Sequence, residues 1–95
     1  MKTAIKKPKL TDAQRMARLH PTTFEVPTKQ ALANLKAGSI VKVCVNSKER
    51  MWAVLQKQED KGWVAKLDNR PVVVKMSYGD TFRLEPKHIY AIWED

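Results

Sequence analysis

The residues of this chain with most to offer chemically are its cations. Lys6, Lys7, Lys9, Arg15 and Arg18 crowd the first twenty positions, and Lys42, Lys66, Lys75 and Arg83 recur once in each of four later apolar stretches. Ammonium and guanidinium groups neutralise phosphate oxygens, so cations on adjacent strands ~4.8 Å apart can follow a nucleic-acid backbone. Lysine is equally the ordinary solubilising residue of an exposed sheet face. Other reactive types are sparse. His20, His88 and Cys44 are the only soft ligands and show neither C-x-x-C nor H-x-x-x-H spacing, so no metal site is expected. Cys44 sits in the apolar run "VKVCVN" with no local activator. Glu49, Asp68, Asp80 and Glu85 fall in turns or at strand ends and make carboxylate pairs conceivable, but Asp68 and Asp80 read as turn residues whose side chains bond nearby backbone N–H groups. The three glycines are isolated and form no phosphate cradle. The expectation is a non-enzymatic protein with no cofactor.

Length and charge bound the rest. Ninety-five residues make one domain, too small for a deep cleft between domains. A single cysteine allows no internal disulfide and gives no sign of an oxidising compartment. The basic start "MKTAIKKPKL" is not followed by a signal-length apolar run, and no stretch reaches the ~20 apolar residues of a membrane span. These features predict a soluble, cytoplasmic protein without a membrane partner. The net charge of +8 is uneven: residues 1–20 hold six basic side chains against Asp12 alone, leaving 12 basic and 9 acidic for the remainder. The excess lies in a basic N-terminal tail, whose attraction to phosphate weakens with salt.

The elements that must position these cations can be traced along the chain. Residues 1–20 read as a partly flexible tail in which a short helix starts at Thr11 or Asp12 and stops before Pro21. The single domain, 21–95, opens with an extended "PTTFEVPT". A helix over 28–36 follows, capped by Thr28 and closed by Gly38. From Gly38 onward the hydrophobic period becomes two. "SIVKVCVN", "RMWAVLQK", "GWVAKL", "PVVVKM", "TFRLE" and "IYAIW" read as strands separated by turn residues. The fold class is mainly β with one or two short N-terminal helices (α+β). Its architecture is a small antiparallel barrel, SH3-like, or a strongly bent meander sheet, with an oligonucleotide-binding-type barrel as the alternative.

Alternation also sorts the faces. Val41, Val43, Val45, Trp63, Ala65, Leu67, Val72, Val74, Met76, Phe82 and Leu84 are expected inward, which turns Lys42, Lys66, Lys75 and Arg83 outward as one row. The second strand is apolar on both sides, suiting a strand covered by a helix, with Met51, Ala53 and Leu55 opposite Trp52 and Val54. Trp52 and Trp63 are expected in the core, and Trp93 partly exposed.

The combination "HPTTFEVP", "ERMWAVL", "KLDNRPV" and "YGDTFRLEPKHIYAIW" resembles the YegJ-like family of small bacterial domains over residues 21–93. The resemblance rests on Glu49 with Trp52, on Leu67, Asn69 and Pro71, on Gly79 with Asp80, and on Ile89. It implies a coherent bacterial domain and carries no activity with it.

The functional expectation is a binding module of a bacterium or phage with a preference for nucleic acid. Lys6, Lys7, Lys9, Arg15, Arg18, Lys42, Lys66, Lys75 and Arg83 would contact phosphate. The alternative is a protein-interaction, inhibitor or accessory domain using a strand edge or an apolar patch such as Met51, Ala53 and Leu55.

Overall fold

The computed structural model describes residues 5–22, 25–72 and 74–93. Two short helices come first. In α1, Ala13–Leu19, the Asp12 carboxylate accepts the Arg15 N–H at 3.0 Å. In α2, Lys29–Ala33, the Thr28 hydroxyl accepts the Ala31 N–H at 3.1 Å. Both caps satisfy amides that a helix start leaves without partners. α2 is shorter than its apolar stripe suggests, ending at Asn34, and Gly38 then turns the chain at φ 95°.

Five strands follow: β1 Ile40–Val45, β2 Glu49–Glu59, β3 Gly62–Leu67, β4 Thr81–Leu84 and β5 Ala91–Ile92. A 3₁₀ turn, Pro86–His88, precedes β5. All pairings are antiparallel, in the order β4-β3-β2-β1-β5, so the sheet is a meander whose last strand returns beside the first. The named strands do not close into a barrel. The register of β2 on β3 shifts between Leu55 and Lys57, an extra residue of the kind that bends and twists a strand. The β1–β2 turn places Asn46 and Ser47 at φ 56° and 55°, and Lys48 N–H closes it on the Val45 carbonyl at 3.0 Å.

One face of this sheet is the core. Val41, Val43 and Val45 pack with Met51, Ala53, Leu55, Trp63, Ala65, Leu67, Val74, Phe82, Leu84 and Ile89, all buried. Each large apolar side chain buried there contributes roughly 1.5–3 kcal/mol. Leu32 and Leu35 cover the same cluster from α2 and the segment after it. α1 meets the molecule elsewhere: Ala13, Cys44 and Tyr90 form a second small cluster with Val26 against it.

Several sequence expectations change. "PVVVKM" makes no strand among the described residues, because the N–H groups of Val72 and Val74 go to the Glu49 carboxylate rather than to a neighbouring strand. Val72, expected inward, is consequently 88% exposed. Met51, Ala53 and Leu55 face the core and offer no outer patch, since Val41 pairs with Ala53 and Val43 with Met51. Trp52 therefore takes the opposite face and is only half-buried, while the helix expected there packs on the core side. The described part of the N-terminal segment is tied to the sheet: Lys6 N–H reaches the Thr81 carbonyl at 2.7 Å, Asn46 N–H the Lys9 carbonyl at 2.7 Å, and Thr11 N–H the Cys44 carbonyl at 3.0 Å.

Candidate nucleic-acid interface

The described residues between β3 and β4 have little regular structure, yet hydrogen bonds between side chains and backbone hold them. Asn69 Oδ1 accepts the Trp52 N–H at 2.6 Å. The Glu49 carboxylate accepts Val72 N–H at 2.8 and 3.1 Å and Val74 N–H at 3.2 Å. Asp80 Oδ2 accepts Ser77 N–H at 2.8 Å, and Gly79, at φ 88°, donates its N–H to the Leu67 carbonyl at 2.9 Å. Glu49, Asn69, Gly79 and Asp80 thus act on loop shape. Asp80 bonds a nearby amide as turn carboxylates do, whereas Glu49 reaches amides more than 20 positions away.

Held in this way, the loop sets Lys75 opposite the N-terminal segment. A shallow groove of about 310 Å³ lies between them, lined by Lys6, Lys7, Pro8, Lys9, Val45, Asn46, Val74, Lys75 and Met76. Four cations and no carboxylate line it. Val74 and Met76 form its apolar floor, and the hydrogen bonds from Lys6 and to Lys9 fix the opposite wall. Backbone residues near both walls are therefore in place before any anion arrives.

The remaining sequence-predicted cations do not join it. Arg15 and Arg18 are exposed on α1. Lys42, Lys66 and Arg83 do share the outer sheet face, but Lys75 has left it, so the four-strand row does not form. Arg83 Nε is bonded to Glu59 Oε1 at 2.8 Å across the end of the sheet, which lowers its availability to phosphate. Lys42 Nζ stands 5.2 Å from the centre of the Trp52 ring. Trp52 also meets Trp93 edge-on, with ring centres 5.4 Å apart and planes at 86°. Trp63 lies in the core, as its alternation with Ala65 and Leu67 indicates, and Trp93 is 55% exposed, as expected, whereas the outward turn of Trp52 was concealed by a strand apolar on both faces.

His88 and Tyr90 titrate away from their ordinary values. His88 is pushed down, chiefly by burial; the positive charge of Lys87 adds to this, and Glu85 and Asp12 oppose it. Its Nδ1 accepts the Glu85 N–H at 3.0 Å, a bond only the unprotonated nitrogen can make. Tyr90 is pushed up, again first by burial and then by Cys44, with the Arg50 guanidinium 5.2 Å from its ring centre pulling the other way. Among the described residues no cluster of three or more His, Cys, Asp and Glu is placed to hold a metal, and no helix is long and apolar enough to cross a membrane. No protein-family model, curated protein or solved structure matches the chain.

Proposed function

We propose that this protein is a non-enzymatic nucleic-acid-binding module of a bacterium or phage, acting in the cytoplasm, and that Lys6, Lys7, Lys9 and Lys75 hold phosphate groups. The observation that carries this reading is the groove itself. Four lysines from two segments nearly 70 positions apart line one concavity without a carboxylate among them. Like charges are costly to gather, and a polyanion offsets that cost by releasing its counterions. Arg15, Arg18 and Lys66, all exposed, add to the surrounding field. The scaffold reads as SH3-like: a four-strand meander, a 3₁₀ turn, and a final strand beside the first.

The test is binding of a labelled duplex as salt is varied. Four phosphate contacts give a log–log salt slope of about −3.6, so affinity falls roughly 10²-fold between 50 and 200 mM salt. Each of Lys7→Gln, Lys9→Gln and Lys75→Gln reduces the slope by about 0.9. A slope near zero, or a triple Gln variant that binds as the parent does, overturns the proposal.

A second reading has its own support. Val72 and Tyr78, 88% and 61% exposed, project from the same held loop, and rigid exposed apolar side chains suit a protein partner. A nuclease-resistant, salt-tolerant complex lost on Val72→Ser with Tyr78→Ser would favour it.

A further inference from the structure

The outer face of the sheet is not the lysine-covered surface that alternation suggests. Lys42 on β1 stands opposite Trp52 on β2, and one register step along, Ile40 stands opposite Val54, which pairs in turn with Lys66 on β3. Trp93 joins them just beyond β5, its N–H bonded to the Ile40 carbonyl at 2.8 Å. The patch therefore has aromatic and aliphatic residues at its centre and a lysine on either flank. Trp52, Val54 and Ile40 are only half-buried and Trp93 is largely exposed. α1 covers the other end of this face, over Cys44.

We infer that this face binds single-stranded nucleic acid, with a base stacked on the exposed Trp93 ring and phosphates met by Lys66 and by Lys42, whose ammonium stands over the Trp52 ring. The inference rests on the nucleic-acid reading above and adds the form of the strand. Planes at 86° cannot both lie along the sheet, so one indole stands off it as a wall against which a base can stack. A duplex keeps its base faces paired and stacked internally, so only an unpaired strand can use such a wall. Two strand spacings and two residues of offset separate Lys42 from Lys66, roughly 12 Å between backbones. Trp52 and Val54 lie between them, so a strand crossing the patch meets cation, aromatic face and cation in turn. Asp68, whose N–H bonds the Trp52 carbonyl at 2.9 Å, lies beside Trp52 and two residues beyond Lys66, so the face carries one carboxylate along with its two lysines.

The experiment uses the full chain, a short oligothymidine and a duplex of similar length, with intrinsic tryptophan fluorescence and competition as readouts. Trp63 is buried, so quenching on oligothymidine binding reports Trp52 and Trp93. Trp93→Ala removes an exposed ring near the chain end and is expected to weaken oligothymidine binding about 5- to 150-fold, the range for loss of one base stack. Lys42→Gln is expected to weaken it less and to lower the salt slope, and duplex binding should change little in either variant. Unquenched fluorescence with bound oligothymidine, or Trp93→Ala affinity equal to the parent's, overturns the inference while leaving the lysine groove standing. Conversely, if the triple groove variant binds duplex and oligothymidine normally but Trp93→Ala loses oligothymidine, the groove reading fails and this one holds.

Discussion

Removing the Glu49 carboxylate tests whether a single side chain sets the shape of the 68–80 loop. In Glu49→Ala the N–H groups of Val72 and Val74 lose their acceptor together. A hydrogen bond to a charged group contributes about 1.5–3 kcal/mol, and an orphaned buried amide costs about 1–3 kcal/mol. The two amides are not equal. Val72 is exposed and water can replace the carboxylate there, whereas Val74 is 9% exposed and belongs to the core cluster. Weighting the loss toward Val74 gives about 2–3 kcal/mol. For a domain of this size each kcal/mol shifts the melting midpoint by about 4–8 °C, so the midpoint should fall by about 8–24 °C. Glu49→Gln keeps one neutral acceptor oxygen and should lose about half as much.

Urea unfolding followed by tryptophan fluorescence gives the free energy, and amide exchange of Val72 and Val74 locates it. Both amides should exchange much faster in Glu49→Ala, with the core strands keeping their order of protection. The variant removes no cation, yet it frees the backbone around Lys75, so duplex affinity should fall several-fold. The reasoning is refuted if Glu49→Ala is within about 0.5 kcal/mol of the parent, the spread of surface substitutions, and Val72 and Val74 exchange unchanged.

Two further outcomes follow from the fold. A Cβ on Gly62 would overlap the Leu84 carbonyl oxygen and come within 3.0 Å of Glu85 Cα, so Gly62→Ala must push β3 from β4. We expect a loss of about 1–3 kcal/mol in urea unfolding, and a loss under 0.5 kcal/mol would show that the strands part freely. His88 contributes through pH. Its folded value lies below the ordinary 6.5, so the unfolded chain binds more protons through that interval. The contribution is fully present above pH 6.5 and is lost as pH falls through the folded value. Stability measured from pH 7 to 5 should decline in the parent and be flatter in His88→Asn; equal slopes would show that His88 is not the group responsible.

Much of the framework was legible because period and burial agree. Val41, Val43 and Val45, then Trp63, Ala65 and Leu67, then Phe82 and Leu84 recur with period two, and all eight are buried. Thr28 and Gly38 mark the start of α2 and the turn after it by local chemistry alone. The failures have a different origin. "PVVVKM" has strand composition, but its amides are claimed by a carboxylate more than 20 positions away, and no local pattern encodes that. β2 alternates Met51, Ala53 and Leu55 with Trp52 and Val54, so period two cannot say which set faces inward. Register decides it, through Val41 against Ala53. The groove was out of reach for the same reason: its cations were visible singly, while their meeting depends on a loop fixed by Glu49.

The tethering of the N-terminal segment changes what its charge does. A loose basic tail adds a diffuse attraction, and ordering its long side chains on binding costs roughly 0.5–1.5 kcal/mol each. Here Lys6 donates to β4, Lys9 accepts from the β1–β2 turn, and Leu10 packs on the core, so the backbone is positioned beforehand. What remains to be ordered is the side chains themselves. Most of the +8 charge precedes residue 21, and the described part of that segment is held against the sheet rather than spread through solvent. The pairing of Arg83 with Glu59 works in the opposite sense, quieting a cation beyond the groove. Location, more than net charge, separates lysines able to act together from those that only keep a surface wet.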